Sequence, residues 1–378
     1  MSHYNNGYNG YDQYGYNPRK PKRRRSRIGR FFKSFILTVI VTLTILVGGY
    51  GLWRTQVRPP ERPTVHAILP LHVANFPNPD TPTINPTPDQ ADEDIIDSLP
   101  PLIDSRWQRR DSFFTFLVFG LDEGANTDTI MVAAFDETTR RGYIISIPRD
   151  TQVDVQRRVR KINAAFPAGR LNGGGHAGGV EQLKREVQTL IGFRPDFYVA
   201  LEMDVAVQII DLFGGVEIDV PFHMHYNDPY QNLFINIPPG MQILDGANAM
   251  HFARFRLAAP GYRAVTDFDR IEHQQQLLMS LLGTALRPAN IPNIPELARL
   301  ADDMLVTDLE LGNLAWFGEQ LALARHNFAL ETYTLPIAGT QRQGWYELPC
   351  AEGIIELVNR TINPFTSDIT RDMLRIAQ

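Results

Sequence analysis

Residues 34 to 53, SFILTVIVTLTILVGGYGLW, are 20 consecutive positions without a charged side chain. At about 1.5 Å of rise per residue, a helix of that length spans roughly 30 Å, the thickness of a bilayer's hydrocarbon core. The segment is therefore read as a single transmembrane helix. Nine Lys or Arg lie between Arg19 and Lys33, with Asp12 the only charge before them, whereas only Arg54 and Arg58 follow closely. That asymmetry places the N-terminus in the cytoplasm and everything after residue 53 outside the membrane. Two alternatives fit less well. Some 30 residues precede the apolar run, too many for an ordinary signal-peptide n-region, and no A-x-A site follows. A nucleic-acid-binding arm would leave the apolar run unexplained, so no nucleic acid is expected as a partner.

The charge balance sharpens this division. Of 37 bases, nine sit in the head, leaving 28 from residue 34 onward against 41 of the 42 acids, a net charge of −13 for the body. The single cysteine, Cys350, excludes a disulfide scaffold and a thiolate zinc site. Residues 1–33 have few aliphatics and are expected to be a disordered, basic cytoplasmic segment. Eleven prolines within 54–110 predict an extended extracytoplasmic linker. The folded domain is expected over 111–336, with 337–378 as an extension packed on it.

From Asp111 the chain reads as strands FFTFLVFGLD, TDTIMVAAFD and RGYIISIPRD, the last two joined by the polar turn ETTR. Val180, Leu183, Val187 and Leu190 then repeat at helical spacing before Gly192, a candidate C-terminal glycine. DFYVALEM and VEIDVPF read as strands around the short helix DVAVQIIDLFGG. The helix LDGANAMHFARF has Asp245 as N-cap, a long helix starts near Thr266, and Thr307 with Glu310 has capping-box spacing for another. LNGGGH lacks the Lys and Ser/Thr of a phosphate loop and reads as a flexible loop. Mixed strands and helices of this kind predict an α/β sandwich.

Charges converge within this frame. Counting outward from the turn near Thr139, Asp128 and Arg149 fall opposite each other in an antiparallel hairpin. If the five-residue link EGANT is tight, Asp122, Asp128, Arg149 and Asp150 share one sheet edge. Adjacent carboxylates need a proton, a cation or an arginine between them, and Mg²⁺ is suited to such oxygen ligands. A solvated charge cluster is the alternative. On the helix from Thr266, at about 100° per residue, Arg270 and Gln274 fall within about 60° of Asp267, among Ile271, Leu278, Leu281 and Leu282. An acid, a guanidinium and an amide on an apolar face point to an enclosed polar site, unless Asp267 caps the helix and Arg270 snorkels. Arg254 and Arg256 alternate in ARFR and would share one side of an extended chain, where two guanidinium forks bind phosphate; helix C-terminal dipole compensation is the other reading.

With these residues assembled, the chain resembles the LytR-CpsA-Psr family of membrane-anchored cell-envelope phosphotransferases. The likeness runs from about Phe113 to Leu282, and more weakly to Pro336. It rests on FGLD, TDTIM, SIPRDT, KINAAF, DLFGGVEIDV, LDGANAMHFARFR and DFDRIEHQQ in that order. It implies a central mixed sheet flanked by helices, with a hydrophobic tunnel for a polyprenyl chain. It also implies transfer of a glycopolymer from an undecaprenyl-pyrophosphate carrier to a cell-wall acceptor hydroxyl such as that of peptidoglycan, releasing polyprenyl phosphate. By motif, Asp122 and Asp128 match metal-associated acids, with Mg²⁺ expected and Mn²⁺ the alternative. Arg149, Arg254 and Arg256 match catalytic arginines; Asp267, Arg270 and Gln274 match the family's D-x-x-R-x-x-x-Q pattern, and Lys161 and Asn163 its KIN. Asp267 is the candidate for orienting or deprotonating the acceptor, because it is the inward acid not assigned to metal. One departure stands out: the arginine usual two residues before the Asp of TDT is Asn126 here, with Arg263 a candidate substitute. The rival functions are hydrolysis of the carrier pyrophosphate and non-catalytic binding of polyprenyl phosphates by an envelope regulator.

Overall fold

A computed structural model describes residues 54–55, 57–70, 107–121, 127–228, 233–255, 265–293 and 306–376. The chain divides into two compact units, Met1–Gln56 and Val57–Gln378, and the second is described here. The expected span at 34–53 and the basic head lie outside the described residues. Among the described residues, no helix is long and apolar enough to cross a membrane.

The first three strands follow the apolar runs: β1 (Phe113–Leu121), β2 (Thr127–Asp136) and β3 (Arg141–Ser146) form an antiparallel meander. The helix α1 (Gly175–Ile191) buries Val180, Leu183, Val187 and Leu190, and it stops where Gly192 takes φ 83°, a left-handed value glycine adopts without penalty. LNGGGH is not a free loop: Gly173 (φ 90°) and Gly175 (φ 56°) kink the chain from a short helical turn into α1. β4 (Phe197–Glu202) returns parallel to β1, and α2 (Met203–Leu212) follows. Next come β5 (Val216–Val220), β6 (Met224–Asp228), β7 (Leu233–Ile237) and β8 (Gly240–Leu244), paired antiparallel as β5 with β8 and β6 with β7. α3 (Gly246–Arg254) starts at Asp245, whose carboxylate accepts the Asn248 N–H at 2.8 Å, as the sequence predicted. α4 (Asp267–Ala285), β9 (Val306–Thr307), α5 (Leu311–Ala324), β10 (Ala329–Thr334), β11 (Ile337–Gln341), β12 (Tyr346–Pro349) and α6 (Ala351–Arg360) complete the domain.

Six strands build one mixed sheet in the order β10-β3-β2-β1-β4-β9. Side chains alternate across it, as the two-residue period of a strand requires. On β1, Phe113, Leu117 and Phe119 enter the main core with Leu183 and Val187 of α1 and Ile354 and Val358 of α6. Phe114 and Phe116 face the other way onto α5, where Phe114 meets Trp316 and Phe317 edge-on at 5.4 and 5.3 Å. Helices thus cover both faces, and each buried aliphatic or phenyl group contributes about 1.5–3 kcal/mol. A separate cluster, with Ile218, Ile237, Phe252 and Leu277, joins α3 and α4 to the two small hairpins.

Two departures from the sequence reading have physical causes. Parts of the Pro-rich stretch pack onto the domain: Ile68 and Leu69 are 1% and 4% exposed within the main core, and Arg109 forms an ion pair with fully buried Asp196 at 2.5 Å. α5 begins later than the Thr307 cap predicts, because Glu310 and Asn313 cap it reciprocally while Thr307 joins β9 and donates its hydroxyl to the Tyr198 carbonyl at 2.5 Å. Of the two readings of ARFR the helical one holds at Arg254, which is the last residue of α3 as the helix LDGANAMHFARF implied, and the extended one does not.

Candidate active site at the mouth of an apolar cavity

Between the sheet and the α2–α4 layer lies a cavity of about 390 Å³, within the range of small-molecule sites. Val118, Gly120 and Met131 line it from the strands, and Ala206, Leu277 and Leu281 from the helices. Its walls are overwhelmingly apolar, so it can exclude water from an alkyl or polyprenyl chain. Charge is confined to particular positions.

The charged positions are set by backbone geometry. β2 and β3 pair with Met131 opposite Ser146, and the Ile147 N–H donates to the Ile130 carbonyl at 2.8 Å. Continuing that register brings Asp128 opposite Arg149, and Arg149 Nη1 meets Asp128 Oδ1 at 2.9 Å. From the facing helix, Asp267 Oδ1 lies 3.5 Å from Arg149 Nε and 3.1 Å from Arg270 Nη2. Asp267 is free for this because Thr266, not Asp267, caps α4, in a capping box with Asp269. Arg270 is 3% exposed and also donates to the Asp128 carbonyl at 3.4 Å. Acid and base therefore alternate from strand to helix: Asp128, Arg149, Asp267, Arg270.

Burial alone opposes the charge on Arg149, but the Asp128 hydrogen bond and the fields of Asp267, Asp128 and Asp150 outweigh it and raise its proton affinity. The guanidinium is thus a permanent cation. Its Nε, shielded from solvent, has no hydrogen-bond acceptor among the described residues, a donor that a ligand oxygen at the mouth could satisfy.

The other sequence-predicted residues distribute around this centre. Gln274 lines the cavity beside Arg270, and Lys161 Nζ pairs with Asp150 at 3.1 Å. Asn163 acts through its backbone, its N–H donating to the Arg149 carbonyl at 3.2 Å and its carbonyl accepting the Thr127 hydroxyl at 3.1 Å. Arg254 lines the cavity from the end of α3, with Nη1 2.9 Å from Met203 Sδ. Asp122, Asn126, Arg256 and Arg263 lie outside the described residues. Among the described residues, no group of three acidic, His or Cys side chains could hold a metal. Asp128 keeps Oδ2 out of its contact with Arg149. A single carboxylate fits a Mg²⁺ that draws its remaining ligands from phosphate and water, rather than an all-protein cage. Asp150, which the sequence already put on this sheet edge, bridges toward Arg149 and Lys161, and one further residue belongs to the site. His251 lines the cavity one turn before Arg254, a spacing of three that could have revealed it in the sequence. Burial first, then the Arg254 charge, lowers the proton affinity of His251.

An apolar cavity lined at particular positions by guanidinium groups and a carboxylate defines the site. The chain belongs to the LytR_cpsA_psr family, which matches residues 88–361. It is similar to the probable cell wall biosynthesis protein LcpB of Corynebacterium glutamicum, 34% identical over 241 residues that cover 62% of this chain and 53% of that protein. It is also similar to TagV of Bacillus subtilis, a polyisoprenyl-teichoic acid–peptidoglycan teichoic acid transferase, 27% identical over 209 residues, 52% of this chain and 50% of that one. The crystal structure of B. subtilis TagV shares the fold, with a TM-score of 0.53 and 22% identity over 71% of this chain and all of that one. The chain spans about half the length of these two curated relatives.

Proposed function

We propose that this protein is a membrane-anchored transferase that moves a glycopolymer from an undecaprenyl-pyrophosphate carrier to a hydroxyl of the cell wall. One observation carries the reading: Asp128, Arg149, Asp267 and Arg270 are linked by contacts of 2.9 to 3.5 Å at the mouth of an apolar cavity. The polyprenyl chain would occupy the cavity and the pyrophosphate would rest at the mouth. The span at 34–53 would hold the domain outside the membrane, close to the carrier's headgroup. The relatives' names supply the substrate class, and peptidoglycan is the acceptor proposed here.

The chemistry is phosphoryl transfer. An acceptor hydroxyl oxygen bonds to the glycan-bearing phosphorus, the bond from that phosphorus to the bridging oxygen breaks, and polyprenyl phosphate leaves with the electron pair. Negative charge builds on the equatorial and leaving oxygens, so positioned cations supply most of the acceleration. Arg149 and Arg270 are held by carboxylates before substrate arrives, so the reaction does not have to order them. Arg254 extends the cationic rim, and Arg256 is proposed by motif alone to add a second guanidinium. Asp267 orients the acceptor hydroxyl and is the acid placed to take its proton. Asp128 and Asp122 would hold Mg²⁺, or Mn²⁺, which when bound neutralises charge on the phosphates. Lys161, Asn163, Gln274 and Asn126 are proposed to position the headgroup.

The test uses the full chain in detergent with a polyprenyl-pyrophosphate-linked glycan, a wall-derived acceptor and Mg²⁺. Glycan covalently joined to the acceptor supports transfer. Free glycan phosphate regardless of acceptor would replace the reading with hydrolysis, and bound lipid without turnover would replace it with a regulator.

A further inference from the structure

We propose a second binding surface beside the cavity mouth, a cationic and aromatic ledge that takes an anionic glycan strand. This rests on the transferase reading, whose glycan must lie somewhere outside the lipid cavity. The segment after Arg149 does not end at the catalytic cluster. Thr151 forms a parallel bridge with Glu347 of β12, and Gln152 an antiparallel bridge with Lys161. The Gln152 N–H donates to the Glu347 carbonyl at 2.9 Å, the Glu347 N–H to the Asp150 carbonyl at 3.0 Å, and the Val153 N–H to the Arg160 carbonyl at 2.9 Å. Three chain segments thus make a small sheet that grows from Asp150, one residue from Arg149.

Its tip is built rather than loose. Arg157 pairs with Glu186, a side chain 2% exposed, and donates to the carbonyls of Val159 and Lys161, each at 2.6 Å. That clamp fixes the turn on which Arg158 is exposed and Arg160 half-buried. The β11–β12 hairpin adds aromatic surface. The Tyr346 ring lies 5.7 Å from Lys161 Nζ, and its hydroxyl accepts the Arg160 N–H at 3.4 Å. At the hairpin's turn, Arg342 is exposed, and Trp345 is 66% exposed with a left-handed φ of 52°. A bulky residue there is strained, and such strain concentrates where a side chain must be presented. The nearby acids are Asp150, paired with Lys161, Glu186, paired with Arg157, Asp154, exposed, and Glu347, whose carboxylate accepts the Thr340 hydroxyl at 2.8 Å, so the exposed Arg158 and Arg342 are the cations outside those pairs.

In a body of net charge −13, arginines on a clamped turn beside an exposed indole and a half-buried phenol ring fit one ligand chemistry. Guanidinium forks match phosphodiester or carboxylate groups, and flat rings match the apolar faces of sugars. An anionic glycan carries both, and the occupant proposed is the donor's polymer, because its attachment to the pyrophosphate beside Arg149 holds it where this sheet begins.

The experiment titrates the full-length protein in detergent with short phosphodiester-linked glycan oligomers, with peptidoglycan fragments and with neutral dextran oligomers, at low and high salt. Salt-sensitive binding of an anionic oligomer, weakened at least tenfold by Arg158→Gln with Arg160→Gln and again by Trp345→Ala, supports the ledge. The control Arg325→Gln, which removes a cation from another exposed turn, should bind as the unaltered protein does, with thermal unfolding confirming that each variant folds. Preference for the phosphodiester oligomer supports the donor polymer as occupant, and preference for the peptidoglycan fragment overturns that assignment. Equal binding by the ledge variants and the unaltered protein, or equal binding of dextran, overturns the ledge whether or not transfer occurs. Ledge binding without any transfer would leave the ledge standing and remove the transferase reading.

Discussion

Asp128 and Arg149 are opposite members of one hairpin, 21 residues apart in sequence and joined at 2.9 Å. Because Arg149 also reaches toward Asp267 through Nε at 3.5 Å, it ties the strand edge to α4 in two directions. A lysine offers a single ammonium and cannot hold both. Arg149→Lys and Asp128→Asn are each expected to slow transfer by about 10²- to 10³-fold, the usual scale for losing one charge-stabilising group. Initial rates of glycan transfer with saturating lipid donor check this, and rates within twofold of the unaltered protein would remove both residues from the mechanism.

Asp267 and Arg270 make the same argument for stability. Arg270 is 3% exposed and Asp267 26%, so the carboxylate is the partly hydrated member of the pair. Removing one partner of a fully buried pair costs about 3–5 kcal/mol, and the hydration of Asp267 reduces this to roughly 2 kcal/mol for Asp267→Asn. Urea unfolding of the full chain measures it. By contrast, Asp196 has no exposed side-chain surface, takes both Arg109 nitrogens at 2.5 and 2.8 Å, and accepts the Thr115 N–H at 3.0 Å. Asp196→Ala should cost the full 3–5 kcal/mol and release the segment around Arg109 to proteolysis.

How much of this was legible depended on whether the signal was local. The Asp128–Arg149 pairing followed from counting across a short turn, and the inward face of α4 from its 3.6-residue period, because both are set by backbone geometry alone. The main-core role of Ile68 and Leu69 was not legible: two apolar residues among prolines carry no period, and their burial depends on α1 and the C-terminal segment far along the chain. At Arg254 the sequence supported two readings, and the helical one held. ARFR alternates like a strand, but Asp245 nucleates a helix whose last turn includes Arg254. The ledge required Tyr346, nearly 200 residues from Arg149, to pack beside Lys161. No spacing rule reports that contact.

The cavity predicts a separation of lipid recognition from chemistry. Ala206 lines the cavity, whereas Arg149 and Asp267 meet it only through the lining residues Asp128 and Arg270. Ala206→Phe should fill part of the 390 Å³ at a stability cost of about 1–3 kcal/mol. The KM for a long polyprenyl donor should then rise at least tenfold, while a donor with a short prenyl chain is used nearly as before. Equal effects on both donors would place the lipid elsewhere.

Acid should weaken the fold through two histidines. Burial, reinforced by Arg254 and only partly offset by Asp245, lowers the proton affinity of His251 below its ordinary value of 6.5; burial and Arg170 do the same for His176, with Glu202 opposing. The unfolded chain then binds more protons than the native one once the pH falls below about 6.5. Stability from these groups is complete above that pH and drains away as the pH descends toward their lowered native values. Replacing His251 by Gln removes one of the two proton sinks. The urea midpoint of His251→Gln should therefore fall less than that of the unaltered protein between pH 8 and pH 5, and His176→Gln added to it should flatten the profile further. Parallel profiles for all three proteins would show that neither imidazole is held neutral by its surroundings.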